Sequence, residues 1–561
     1  MSVALEEFDY VVVGAGAAGC IMANRLASDG TRTVCLLEAG PRDNSIFLRL
    51  PAGVYKASSN PKYAWQFETA PSEGTANRPI PMPQGKTLGG STAINGMNYN
   101  RGRPEDFDGW ARHGNRGWGY RDVLPYFKRT EKRIGACDPR YRGVDGLLPI
   151  TDGDWKHPIC DAFIAAAHSL GLPKNPDYNG ASQDGAGYYQ SYIKDGWRVS
   201  AAGAFLRPAV KKNLDVRTDA QATAVLFDGR RAVGIRYAQG RKQISRDVRA
   251  RREVILCAGA ANTPKLLQIS GVGPAKLLGG LGIPVLHDLP GVGQNLQDHY
   301  MVHLVVRTKG APAINGGPAG LVCEAAKWLL GRPNILAISP SLVYAFVNSR
   351  EFCSTPDIQL DFALGNYSNE ALERFPVLKL GFYQLRPKST GFVEARSSDP
   401  FEAPVIQPNY LAASKDQRVA IDSVRTLRRL FSVDVLQPYC DAEELPGPSA
   451  VSDASLLDFA RREGLTAYHL CGTCKMGSRD DAMAVVDDRL RVHGLDALRI
   501  ADASIMPSVP SANTSAAVFM IAEKASDMVL GRIPLPPLDP REDSDVAPRP
   551  VGQAAKQFAV A

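Results

Sequence analysis

The sequence predicts an α/β protein: a parallel sheet woven from separated stretches of chain, with a second domain of antiparallel strands and helices inserted into it. Three observations predict it. An apolar strand runs directly into a glycine-rich turn at residues 10–19. Strand and helix signals of the same kind return near 85–100, 215–300 and 495–530. The material between, above all residues 355–410, mixes short strands with Pro and Gly turns.

Residues 9–19 read D-Y-V-V-V-G-A-G-A-A-G. The run 10–13 is a buried strand, and Gly14, Gly16 and Gly19 form a G-x-G-x-x-G turn that opens a helix. Gly14 permits the tight turn, Gly16 lets a pyrophosphate reach the backbone, and Gly19 lets helix lie on strand. The helix N-terminus offers N–H groups and a partial positive charge to phosphates. Glu38, in V-C-L-L-E-A-G, ends the second strand, where a carboxylate accepts both ribose hydroxyls and repels a 2′-phosphate. Strand, turn, helix and acid agree on an adenine dinucleotide, FAD or NAD, and on redox chemistry or something derived from it.

The remaining elements follow in order. Residues 51–84 read as an extended excursion and 85–91 (G-K-T-L-G-G-S) as a second glycine-rich loop. Residues 160–170 have helical apolar spacing, and 214–238 alternate in strand fashion. Residues 253–258 form a buried strand leading to a helix over 264–271, with Pro264 at a first-turn position. Residues 415–432 and 453–463 are helical, 499–502 a last short strand and 515–530 a final helix. The expected division is a nucleotide-binding domain from 1–155, 205–300 and 465–533, and a substrate domain from 156–204 and 301–464. Residues 534–561, Pro-rich and charged, read as a disordered tail.

Composition narrows the classes. A net charge of +7 over 561 residues is too dilute to imply nucleic acid. No apolar run approaches the ~18 residues of a membrane span, and no export signal is visible, so a cytoplasmic protein with reduced cysteines is expected. Cys471 and Cys474 form a C-x-x-C, but no second ligand pair follows, so no metal site is expected and the two read as small residues beside an active site. Residues 319–330 (A-G-L-V-C-E-A-A-K-W-L-L) have an apolar side that could pack on a subdomain or subunit, close over a pocket, or touch a membrane, which leaves peripheral contact with the inner membrane open.

Four further stretches complete a pattern: 85–95 (G-K-T-L-G-G-S-T-A-I-N); 259–273, which opens G-A-A-N-T-P; 468–474 (Y-H-L-C-G-T-C); and D-A-S at 502–504 with P-S-A-N-T at 510–514. With the N-terminal motif, these resemble the glucose–methanol–choline (GMC) family of flavin oxidoreductases, in order from Phe8 to Arg532. The bacterial alcohol and choline dehydrogenase branch looks nearest. The resemblance implies a Rossmann-like FAD-binding domain with a parallel sheet, and a substrate domain with an antiparallel sheet flanked by helices. It places FAD on Gly14, Gly16, Ala17 and Gly19 of the first turn and on Glu38 and Ala39 after the second strand. It adds Thr87, Gly89, Gly90 and Ser91 of the second loop, and Asn95, Gly96 and Met97 along the isoalloxazine ring. Ala222 near the adenine, Asp502 near the pyrophosphate or ribityl chain, and Asn513 with Thr514 at the last helix complete the set. Where some members tether FAD through a histidine, this chain has Ile94, so a non-covalent cofactor is expected.

The chemistry can be argued beside the resemblance. An alkoxide is a far better hydride donor than an alcohol, so the site needs a base of near-neutral pKa and a donor to hold the oxygen. His469 matches the family's catalytic histidine. Asn513 matches the second catalytic position, where its amide can donate a hydrogen bond but not act as a base. The other seven histidines, His299 among them, read as structural. In 339–346 (S-P-S-L-V-Y-A-F), Leu342 and Tyr344 fall at pocket positions where near relatives carry a carboxylate and a glycine. That loss counts against a quaternary ammonium substrate. The expected reaction is oxidation of a neutral primary alcohol, aliphatic or aromatic, to the aldehyde by hydride transfer to flavin N5, with O2 or a quinone-type carrier as acceptor. Choline dehydrogenase-like oxidation is the rival of the same class, and lyase or photodecarboxylase chemistry on the same fold the rival of another. The exact alcohol, the acceptor and the oligomeric state are not encoded in any motif.

Overall fold

The computed structural model describes residues 6–208, 211–240, 242–309, 317–350, 353–364 and 377–540. Two seven-stranded sheets organise the chain. In the first, the strands run in the order Leu214–Arg217, Val34–Leu37, Glu6–Val13, Ile244–Leu256, Arg231–Gln239 and Ala220–Asp228. Leu498–Ile500 joins the far end of Ile244–Leu256. Glu6–Val13 pairs in parallel with Val34–Leu37 and with Ile244–Leu256, and the C-terminal ends of these strands face one crevice. Residues Val11 to Val13 and Val34 to Leu37 are buried on both faces, which is why they read as unbroken apolar runs.

The second sheet is antiparallel. Its order is Cys440–Leu445, Tyr300–Thr308, Val377–Gln384, Ile358–Leu364, Val343–Val347 and Gly185–Tyr188. The helices Pro158–Ser169, Ser414–Phe431 and Asp453–Glu463 pack against one face of it in a single apolar cluster. Leu465–Thr466 pairs with Tyr300 and Met301, so the chain passes from this sheet toward the first one immediately before His469. The α/β class with one mainly parallel and one antiparallel sheet is thus the observed one.

Two local expectations are corrected. The helix expected over 264–271 spans Gly259–Ile269, so Pro264 lies inside it rather than in its first turn. Proline cannot bond the carbonyl of Ala260 four residues earlier, and the Thr473 hydroxyl donates to that carbonyl instead, at 2.7 Å. The excursion at 51–84 contains a short helix, Val54–Ser58, and a hairpin pairing Ala64–Glu68 with Pro81–Gly85. At the start of the tail, the Leu535 and Leu538 amides bond Tyr126 and Arg121. Residues 541–561 lie outside the described residues.

Replacing Thr473 by Val keeps the shape but leaves the buried Ala260 carbonyl without a donor. The expected cost is about 1–3 kcal/mol of stability, read as a lower midpoint of chemical unfolding. Thr473→Ser, which keeps the hydroxyl, should lose less.

Candidate active site

The two glycine loops lock together at the crevice. Gly14 has φ +94°, and a Cβ on Gly19 would stand 1.8 Å from the Gly14 carbonyl oxygen, so helix and turn touch backbone to backbone. The Gly89 amide donates to Ala15 O at 2.8 Å, and a Cβ on Gly90 would meet Gly16 Cα at 2.6 Å. Thr87 is fully buried and its hydroxyl bonds Pro41 O. Ser91 bonds Gln84 and the Gly85 amide. Glu38 accepts the amides of Ala15 and Gly40, both at 2.9 Å, so its carboxylate is fixed at the strand end beside Ala39. Burial pushes it up to about 7 against those two amides. Ala220 N donates to Glu38 O, which puts Ala222, two residues on, along the same side of the crevice.

The helices offer themselves to an anion unequally. Ala17–Leu26 and Thr514–Leu530 each begin with no side-chain cap and no acidic residue in the first turn. The Ser515 hydroxyl and Asn513 Oδ1 are buried without partners. Such ends suit phosphates and a flavin ring that gains negative charge. Gly259–Ile269 is closed instead: Asp502 accepts the Gly259 amide and the Thr263 hydroxyl while its other oxygen takes the Ser504 amide and hydroxyl. Asp502 therefore joins this helix to the last strand with every carboxylate oxygen engaged. Asn95 bonds the Tyr192 hydroxyl, the Met97 amide and Arg198, with Gly96 between. Met97 is buried at φ +64°. Ile94 sits in a small apolar cluster with Leu48, Ala57, Ala64 and Ala93.

His469 and Asn513 do meet: Nε2 of the histidine and Nδ2 of the amide are 3.1 Å apart. Tyr468, at φ +64°, holds a conformation disfavoured for a bulky residue, braced by Thr466 Oγ1 on its amide. Its carbonyl neighbour is aimed by Asp298, which accepts the His469 amide at 2.7 Å.

The residue missed from sequence is His299. Its Nδ1 lies 2.9 Å from His469 Nδ1, and its Nε2 lies 3.1 Å from Leu385 O. A carbonyl only accepts, so His299 carries its proton on Nε2 and, when neutral, presents a lone pair at Nδ1. His469 must then donate from Nδ1, which leaves its Nε2 unprotonated and accepting from Asn513. Burial favours the neutral rings, lowering His299 to about 4 and His469 well below the usual 6.5, with the neighbouring His299 adding to the latter. Both rings are packed by Tyr383, stacked on His299 at 4.8 Å and edge-on to His469 at 5.7 Å between centroids. Only the D-H-Y triplet at 298–300 hinted at this, an acid beside a histidine.

The two pocket residues part company. Tyr344 is fully buried among Tyr178, Tyr189 and Tyr383, with its hydroxyl spent on Asn175 O at 2.5 Å. Leu342 sits in the apolar core between the antiparallel sheet and its helices, apart from that cluster. Cys471 and Cys474 are buried free thiols, pushed up by burial. Among the described residues, no group of three or more His, Cys, Asp and Glu side chains could hold a metal ion, and no helix is long and apolar enough to cross a membrane.

A crevice at the ends of parallel strands, two uncapped helix N-termini and a histidine beside the start of the last helix fit a dinucleotide-dependent oxidoreductase. The chain belongs to the GMC oxidoreductase family, whose models match residues 8–301 and 387–522. It is 38% identical over 538 residues to an oxygen-dependent choline dehydrogenase of Photobacterium profundum, covering 94% of both chains. It is 39% identical over 542 residues to an alcohol dehydrogenase [acceptor] of Pseudomonas putida, covering 95% of this chain and 97% of that one. The solved pyridoxine 4-oxidase from Mesorbium loti superposes with a TM-score of 0.84 at 31% identity, over 94% of this chain and all of the other. The protein is therefore a flavoprotein oxidoreductase acting on CH–OH donors, with FAD, the family's cofactor.

His299→Leu removes the acceptor that fixes the His469 tautomer, and His299→Asn keeps an oxygen near the old Nδ1. Flavin reduction by substrate should slow roughly 5–100-fold in the first, the kinetic equivalent of about 1–3 kcal/mol, and much less in the second, measured by anaerobic rapid mixing. Because the histidine is held neutral, kcat/KM should stay level above neutrality and fall only on the acid side of 6.5 as Nε2 becomes protonated. A pH profile with an acid limb above that value would contradict this.

Proposed function

We propose that this chain oxidises a neutral primary alcohol, aliphatic or aromatic, to the aldehyde, with FAD held non-covalently and electrons passed to O2 or a quinone-type carrier. The observation that carries the reading is the ordered chain from Leu385 O through His299 and His469 to Asn513, which leaves one imidazole lone pair at the catalytic position. Bound FAD supplies the hydride acceptor. The Gly14–Gly19 turn, Glu38 and the Gly89–Gly90 loop would hold its dinucleotide part, and the uncapped start of Thr514–Leu530 would face its ring.

His469 Nε2 takes the hydroxyl proton of the substrate. The charge that follows on the imidazole is shared with His299 through the Nδ1–H to Nδ1 bond. Asn513 Nδ2 exchanges its bond to His469 for one to the alkoxide oxygen, which keeps the donor carbon in place for hydride loss. Ile94, in its apolar cluster, offers no nucleophile for a covalent tether.

One observation favours a choline-like substrate as the second reading. The aromatic group of Tyr178, Tyr189, Tyr344 and Tyr383 adjoins the histidines, and Asp361 lies beside it. A cation could use such walls. Against it, the Asp361 carboxyl is raised to about 6 by burial and already bonded to the Tyr189 hydroxyl and the Gln359 amide. The lyase and photodecarboxylase rivals draw no support from an imidazole poised for an alcohol proton.

His469→Ala, mixed anaerobically with a primary alcohol in the dark, should bleach its flavin at least 100-fold more slowly than wild type, the lower range for loss of a general base. Unchanged bleaching would refute the role of His469, and bleaching of wild type by choline alone would select the second reading.

A further inference from the structure

On the Gly317–Leu329 helix the indole is turned to the body of the protein, and the Lys327 side chain, 44% exposed, pairs with Glu324 at its flank. Glu324 is bonded to Lys327 at 2.5 Å and to the Ile335 amide at 2.9 Å, and the Trp328 ring N–H donates to Gly196 O. Its apolar row faces out: Val322 is 69% exposed, Leu329 77% and Leu330 69%, with Ala326 between them at helical spacing and Leu321 beside them. A second exposed apolar pair, Ile46 and Phe47, lies on the short helix Ile46–Arg49. The two helices are joined by a stack in which the Arg49 guanidinium lies 5.0 Å from the Trp197 ring, and Trp197 meets Trp328 edge-on at 4.6 Å.

The charges near this surface are mostly positive: an exposed acid, Asp195 on the turn that Trp328 meets, stands beside Lys194. Arg49, Lys56 and Arg332 form no ion pair among the described residues, and Lys56 lies 5.2 Å from the Phe47 ring. The acid of the helix, Glu324, is already paired. Two copies meeting here would bring these cations together. Lipid phosphates would meet them with opposite charge, with exposed leucines at acyl depth and indoles at the level of the headgroups.

We propose that this face docks peripherally on an anionic phospholipid surface, Leu321, Val322, Leu329 and Leu330 with Ile46 and Phe47 entering the interface and Arg49, Lys56 and Arg332 binding phosphate. The chain leaving the helix reaches the candidate site directly: the Ser339 hydroxyl lies 2.7 Å from Gly96 O and 2.6 Å from Asn98 Oδ1, either of which accepts its proton. Docking would therefore set the membrane beside the flavin edge, where an apolar alcohol or a lipid-borne acceptor arrives. This last point rests on the proposed function; the docking itself does not.

The test is co-sedimentation of the full-length holoenzyme with phosphatidylcholine vesicles, with and without phosphatidylglycerol. Wild type should pellet with the anionic vesicles and be released by high salt. The Leu329→Ser/Leu330→Ser double variant should partition roughly tenfold less or weaker still, with its flavin content and its turnover with a soluble dye acceptor unchanged. R332Q should weaken binding to anionic vesicles alone. Wild type remaining in the supernatant at low salt would overturn the proposal. So would a dimer, seen by sedimentation velocity without lipid, that the double variant abolishes, because the face would then be a subunit contact. Failure here leaves flavin bleaching by alcohol untouched, and failure of bleaching leaves vesicle binding untouched.

Discussion

One buried carboxylate holds the site together. Asp298 accepts the main-chain amides of both His299 and His469, and its other oxygen accepts the hydroxyls of Tyr410 and Thr466. Four donors converge on a group that is 4% exposed. Taking a charge out of water costs several kcal/mol unless hydrogen bonds replace the solvent, and here they do, although burial still raises the group to about 6. The geometry of the imidazole pair is therefore set through the backbone. Asp298 lies just before the long strand of the antiparallel sheet, and His469 follows the short strand that pairs with it, so His469 stands where the chain leaves that sheet.

The two ends of the catalytic unit have opposite electrical designs. The Gly259–Ile269 helix spends its N-terminus on Asp502 and is finished as a structural part. The Ala17–Leu26 and Thr514–Leu530 helices leave theirs uncapped. At those two ends helix dipoles and free amide N–H groups supply a positive potential suited to an anionic group. Asn513 serves both purposes, as the residue that starts the last helix and as the amide against His469.

Much of this was legible in the sequence because it rests on local rules. Gly14 is demanded by its own φ of +94° and Gly19 by the Gly14 carbonyl five residues back, both local requirements, and Glu38 by its place at a strand end. His469 and Asn513 were singled out by the resemblance of their motifs to the family's, and the structure brings them within 3.1 Å of each other. What escaped depends on partners far away. His299 meets its partner 170 residues on, with nothing but an adjacent acid to flag it. The true start of the Gly259–Ile269 helix was hidden because the group that repairs its proline, Thr473, lies 213 residues from Ala260. Leu342 was assigned to the pocket with Tyr344, but it precedes the Val343–Val347 strand and packs into the apolar core with Val343, whereas Tyr344 joins the aromatic group. A short motif match carried across a strand boundary does not fix a face.

The last helix has a consequence for biosynthesis. It lies against the first helix and is pinned there: Arg25 bonds Glu523 at 2.7 Å, and Arg129 bridges Glu523 and Asp527, each at 2.7 Å. The Thr514–Leu530 helix is thus translated some 500 residues after the Gly14–Gly19 turn and the helix it covers. At ribosomal speeds of ~5–20 residues per second, the first helix waits roughly 25–100 s for the partner that covers it. Packing of the first helix is accordingly completed late, and a chain that lacked only this terminal segment would leave Arg25 and Arg129 without their buried carboxylate partners.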